Sequence, residues 1–264
     1  MKAKKSLGQH FLKSEKALAQ IVAAGNLGKD DVVLEIGPGQ GVLTERLLAG
    51  AKKVVCIEKD HDLIPLLCEK FSRYIQEGRL EIIEGDALAF TPSIFNLSAS
   101  YKLIANIPYY ITGAIIEQFL SAKHQPRHIV LLLQKEVAER IVAKDKKESV
   151  LSIAVKAYGT PRIVAKVPAG AFNPAPKVDS AIISLETISR AFFEGIDEPG
   201  FFKLLKTIFG KKRKQIGGSL SEYVGKENAA LALRMSDIDP KTRPEELSLE
   251  TWRKLSLALG KEVN

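Results

Sequence analysis

The chain reads as an α/β protein, a mostly parallel sheet with helices on both faces, followed by a small all-helical domain. Three features point there: five short apolar runs bounded by Gly, Pro or polar residues, helix-like stretches between them, and the end of any strand pattern after Thr187. The runs are Val32 to Ile36, Val54 to Glu58, Leu80 to Glu84, Tyr101 to Ala105 and Ile129 to Leu133. Near-continuous apolar character suits strands buried on both faces. Helical pattern occupies Val42 to Leu48, Leu63 to Tyr74, Ile111 to Leu120 and Lys135 to Ala143. After a helical stretch at Ser149 to Ala157, Arg162 to Val167 and Ser180 to Glu186 read as a hairpin-like pair on the sheet edge, parted by the Pro-rich loop Phe172 to Lys177. Gly195 to Gly200, with Pro199, reads as a linker. Phe201 to Phe209 and Leu249 to Leu259 are helical, the latter with Leu249, Trp252, Leu255 and Leu259 on one stripe. The expected domains are therefore 1–187 and 188–264.

With 264 residues, 45% hydrophobic and 27% charged, the composition is that of an ordinary core-forming protein. No apolar run is long enough to span a membrane, and Met1-Lys2-Ala3-Lys4-Lys5-Ser6 lacks the apolar segment of a secretory signal, so a cytoplasmic location is expected. Cys56 and Cys68 have neither metal-ligand spacing nor a histidine cluster nearby, which favours buried structural cysteines and no metal site. A net charge of +8 and a pI near 9.3 favour a polyanionic partner. The excess is spread over both domains, 25 basic against 20 acidic residues up to 187 and 14 against 11 after it. A nucleic-acid footprint should cross both.

Chemistry enters at the strand ends. Glu35-Ile36-Gly37-Pro38-Gly39-Gln40-Gly41 follows the first run and leads into a helix, where glycine lets backbone pass close to a nucleotide-like cofactor. Glu58 ends the second run, placed to accept the hydroxyl protons of a ribose. Gly85-Asp86-Ala87 follows the third, with an Asp that can take an adenine amine or simply cap a helix. Asn106-Ile107-Pro108-Tyr109 follows the fourth: an amide, a rigid proline and a ring that together can grip a base amine. Ligands of open α/β sheets bind beyond the carboxyl ends of the strands, so these sites should converge. The loop and Glu58 alone fit NAD as well as S-adenosylmethionine.

These motifs, with Gly8-Gln9-His10-Phe11-Leu12 and the run Phe172-Asn173-Pro174-Ala175-Pro176-Lys177-Val178-Asp179-Ser180, make the chain resemble the KsgA type of small-subunit ribosomal RNA adenine N6,N6-dimethyltransferases, relatives of the Erm methyltransferases. The resemblance runs from about Lys5 to Leu257. It implies a Rossmann-like S-adenosylmethionine-dependent methyltransferase sheet and S-adenosyl-L-methionine as donor, with S-adenosylhomocysteine as product. It implies donor binding by His10, Leu12, Gly37, Gly39, Glu58, Asp86 and Asn106. The catalytic group would be Asn106, Pro108, Tyr109 and Phe172, the two rings stacking on an extruded adenine. Many members carry Asn at the position of His10, so contact through its backbone is the firmer expectation.

The implied substrate is a pair of adjacent adenosines in the 3′-terminal hairpin of small-subunit ribosomal RNA, met on the immature subunit; the sequence does not give the oligomeric state, and a monomer is expected. Gln134-Lys135-Glu136-Val137-Ala138 and Asp239-Pro240-Lys241-Thr242-Arg243-Pro244-Glu245 look more like the KsgA branch than the Erm branch. The helical domain would dock the ribosomal particle, with Lys203, Lys206, Lys211, Lys212, Arg213 and Lys214 offered to phosphates. Lys2, Lys4 and Lys5 would form a basic arm. The competing readings are Erm-type large-subunit methylation, an assembly factor that binds RNA and methylates secondarily, and, more distantly, an NAD dehydrogenase.

Overall fold

The computed structural model describes residues 3–4, 7–90, 100–145, 147–211 and 214–260. It divides the chain into two units, one of residues 1–138 and 159–188, the other of residues 139–158 and 189–264. Among the described residues no helix is long and apolar enough to cross a membrane.

In the first unit, strands β1 (Phe11–Leu12), β2 (Val32–Ile36), β3 (Lys53–Glu58), β4 (Leu80–Glu84), β5 (Tyr101–Asn106), β6 (His128–Gln134), β7 (Thr160–Val167), β8 (Phe172–Asn173) and β9 (Ser180–Glu186) follow in chain order. Seven of them form one sheet in the order β4-β3-β2-β5-β6-β9-β7. The first five are mutually parallel, and β9 and β7 close the sheet as the antiparallel edge pair that the spacing predicts. β1 and β8 pair separately, Leu12 opposite Phe172. Their two-residue length gave no alternation to read. Strands β2, β3, β5 and β6 are buried along nearly their whole length, the burial of both faces that their apolar runs demand.

A helix at Glu15–Gly25, absent from the sequence reading, is capped by Ser14 and packs Leu18 and Ile21 into the core. The helical stretch expected over residues 63–74 is two short helices, Ile64–Lys70 and Ser72–Gln76, parted at Phe71. Lys102 lies inside β5 yet is buried: its Nζ meets Asp31 at 2.8 Å and the carbonyls of Gly25 and Asn26 at 2.9 and 2.5 Å. A buried charge is tolerated only when so satisfied. Cys56 is buried in β3 as expected, but Cys68 is exposed on its helix, where one face of a short amphipathic segment meets solvent.

The second unit contains helices Val150–Lys156, Glu198–Gly210, Ile216–Val224, Lys226–Met235 and Leu249–Gly260. It combines residues 189–264 with residues 139–158, which lie before the expected boundary. The cause is packing: Tyr158 sits against Phe193 and Phe202, and Phe193 against Phe201. The supposed linker at 195–200 is partly helical. Asp197 caps the helix from Glu198, its Oδ2 accepting from Gly200 N at 3.0 Å, and Pro199 occupies the first turn, where a missing N–H costs nothing. Asp197→Ala is expected to lower stability by about 0.5–2 kcal/mol, measured by denaturant unfolding. Of the basic run, Lys211 and Lys214 both bond Glu222, holding its carboxyl down at about 2, so these two amines already have a protein partner. Lys212 and Arg213 lie outside the described residues, as do Lys2 and Lys5 of the basic arm.

Candidate active site

The carboxyl ends of β2, β3, β4 and β5 open on a cavity within the first unit. Leu12, His10, Gly37, Gly39, Glu58, Asp86, Asn106, Pro108 and Tyr109 all line it. Gly37 has φ +67°, and a Cβ there would meet only Pro108 Cδ at 3.9 Å, so its missing side chain is room on the cavity side. Gly41 is demanded by packing instead: φ is +75° and a Cβ would strike the Phe71 ring at 2.4 Å.

Glu58 is only 5% exposed. Its Oε2 accepts from Gly39 N at 3.1 Å and its Oε1 from Asp60 N at 2.8 Å. The Lys59 amide also draws on this carboxylate, which still keeps acceptor capacity for a ligand hydroxyl. Burial raises the Glu58 pKa, against the pull of the Asp60 and Gly39 amides. Beneath it, buried Glu35 accepts from Thr44 Oγ1 at 2.7 Å and Cys56 Sγ at 3.4 Å, and burial pushes its carboxyl up to about 7. Asp86 takes the capping role, at the edge of the cavity. Its Oδ1 caps the short turn at Ala87–Ala89 by accepting from Leu88 N at 2.9 Å, and it lines the cavity. Its Oδ2 accepts from Lys59 at 2.8 Å, and that bond holds its pKa below the ordinary value.

Asn106 ends β5, and its Nδ2 donates to the His10 carbonyl at 3.2 Å. A carbonyl can only accept, so this contact fixes the amide and leaves Oδ1 as the end available to take a proton donor. Pro108 O accepts from Ile111 N at 3.2 Å and retains one lone pair. The His10 side chain does not turn to the cavity alone: Nδ1 bonds Pro174 O at 2.8 Å and the ring stacks on Tyr109, centroids 5.9 Å apart. Tyr109 is tied down by a 2.6 Å bond to Ser180 Oγ, and burial raises its pKa. Tyr109→Phe should cost about 1 kcal/mol of stability, read from denaturant melts, because it orphans a buried hydroxyl.

Phe172 is the exception. It is 2% exposed, pairs in β8 with Leu12 and belongs to the core cluster, and it is not among the cavity residues. A ring beside two prolines is here a corner of the core, so the stacking face expected of it is absent from the cavity. Cavity residues Lys59 and Tyr110, and Asp60 beside them, are not among the site residues that the sequence suggests. The acid-x-acid spacing of Glu58 and Asp60 was the available signal.

The residues suit an adenosine-bearing cofactor: a glycine-cleared wall at Gly37, a buried acceptor at Glu58 and a second acid at Asp86. The comparisons agree. A family model described as "Ribosomal RNA adenine dimethylase" matches residues 1–261. A protein of Dehalococcoides mccartyi named "Ribosomal RNA small subunit methyltransferase A" is 44% identical over 260 residues, 97% of this chain and 88% of the relative. A dimethyladenosine transferase structure from Plasmodium falciparum superposes with TM-score 0.80 and 31% identity, covering 96% of this chain and 98% of that one. The 23S rRNA methyltransferase ErmE superposes with TM-score 0.74 and 27% identity, over 95% and 99%. The family model over residues 1–261 and the identity along nearly the whole chain place it in the ribosomal RNA adenine dimethylase family.

Proposed function

We propose that the protein dimethylates N6 of two adjacent adenosines in the 3′-terminal hairpin of small-subunit ribosomal RNA. It acts as a cytoplasmic monomer on the immature small subunit. The chain is an adenine dimethyltransferase by family. The observation that carries the catalytic reading is the fixed amide of Asn106, Nδ2 on the His10 carbonyl and Oδ1 available to an amine.

S-adenosylmethionine, when bound, supplies an electrophilic methyl group. Gly37 and Gly39 let backbone approach it, Glu58 accepts from its ribose, Asp86 from its adenine, and the segment through His10 and Leu12 walls it in. Adenine N6 is a poor nucleophile because its lone pair is delocalised into the ring. Asn106 Oδ1 and the Pro108 carbonyl, by accepting both amine protons, favour a pyramidal nitrogen and aim its lone pair. No base need remove a proton first, since the nitrogen becomes acidic once alkylated. Tyr109 offers the ring for the base. The second unit would dock the particle, with Lys203 among its basic residues.

The choice of the small subunit is supported by 44% identity to a relative named for it, against 27% to ErmE. Purified immature small and large subunits incubated with methyl-labelled donor test it. Label is expected in small-subunit RNA, as dimethyladenosine, and label confined to the large subunit overturns the proposal.

A further inference from the structure

The segment Leu7–Leu12 lines the cavity throughout and is tied at both sides. On the donor side the tie is Asp60, buried to 2% exposure beside Glu58. Its carboxylate accepts from Gln9 Nε2 at 2.7 Å, Lys4 Nζ at 2.5 Å and Asp62 N at 3.2 Å. Lys4 also reaches Asp62 at 2.6 Å, and its backbone N–H donates to Gln9 Oε1 at 2.7 Å. Lys4 is thus occupied by the protein's own carboxylates rather than offered to phosphate. On the acceptor side, the His10 carbonyl takes the Asn106 amide at 3.2 Å. Gly8 packs so near the Tyr110 ring that a Cβ would lie 3.2 Å from Cδ1.

The Asp60 carboxylate therefore holds the arm and its own turn, and no strand of the sheet. Its backbone N–H meanwhile donates to Glu58 Oε1 at 2.8 Å. Hydrogen bonds link the Gly39 amide to Glu58, Glu58 to Asp60 and Asp60 to Gln9, and the chain then leads directly to His10, whose carbonyl takes the Asn106 amide. We propose that Asp60 is a positioning residue for methyl transfer: through Gln9 and Lys4 it latches residues 7–12 along the cavity wall, and through the His10 carbonyl sets the Asn106 amide when the donor side is formed. This rests on the donor-site reading of the cavity.

The test is Asp60→Asn in the full chain. The new amide sets N–H groups against the Gln9 amide or the Lys4 ammonium, breaking charge-assisted bonds while keeping size. Expected are faster amide hydrogen exchange at residues 7–12, about tenfold or more weaker binding of S-adenosylhomocysteine by calorimetry, and a kcat lowered by about tenfold or more with KM for RNA nearly unchanged. Should that variant not fold, Lys4→Ala combined with Gln9→Ala cuts the same latch from the arm side and should give the same pattern. Unchanged exchange at 7–12, or a loosened arm with unchanged kcat and product affinity, overturns the proposal. Exchange and product binding are read without RNA, so failure of the wild type to label ribosomal RNA would sink the substrate assignment and leave the latch to be judged by these.

Discussion

Asn106→Ala is expected to lower methyl transfer by about 10²–10³-fold, the scale set by removing one preorganised polar group from a reacting centre. The His10 carbonyl that holds Nδ2 leaves Oδ1 as the acceptor, so on the proposed mechanism truncation removes an interaction with the reacting amine itself. RNA affinity, spread over many contacts outside the cavity, should stay nearly constant. Single-turnover transfer and filter binding of the RNA separate the two. Transfer at the wild-type rate would remove Asn106 from the chemistry. Asn106→Asp is a sharper variant, because a carboxylate facing the His10 carbonyl repels it and the orientation is lost.

Glu58→Gln should weaken donor binding by about 10–100-fold, since hydrogen bonds to a buried carboxylate are worth more than neutral ones. The pH dependence has a definite sign. Burial raises the Glu58 pKa, so its protonated form persists above the ordinary glutamate range. On the proposed role of Glu58 a donor ribose bonds the ionised form, so affinity is level well above that raised pKa and falls as pH drops through it. Glu35, pushed up to about 7, titrates in the same cavity. Because the Glu58 charge helps raise Glu35, the glutamine variant should move the Glu35 part of the profile to lower pH and lose one proton from its slope on the acid side. Calorimetric titrations from neutral to mildly acid pH check this, and an identical slope in both proteins would contradict the role.

What was legible in the sequence was what is local. A glycine loop after an apolar run, an acid at the end of the next and Asn-Ile-Pro-Tyr after another are strand-to-turn patterns whose geometry is set within a few residues. Partners distant in sequence were not legible. Asp60 finds Gln9 and Lys4, 51 and 56 positions away, and nothing in Glu58-Lys59-Asp60 announces them. For Phe172 the stacking role is what the family resemblance implies, whereas its residue type beside Asn-Pro-Ala-Pro reads as a hydrophobic corner; the partner that buries it, β1, is too short to show a period. The helix Ile216–Val224 was hidden by Gly217 and Gly218. Gly217 is there for contact, a Cβ falling 2.8 Å from Pro240 Cβ, so tertiary packing outweighs its poor helix propensity.

The chain passes from one unit to the other at residues 138/139, 158/159 and 188/189. No single cut can therefore separate them. Deleting everything after 188 would strand Tyr158 without Phe193 and Phe202, while residues 189–264 alone would lack the helix Val150–Lys156. The second unit is an excursion from the first rather than an appendage to it. A ribosome emitting this chain must hold residues 139–158 without their partners until the C-terminal helices emerge.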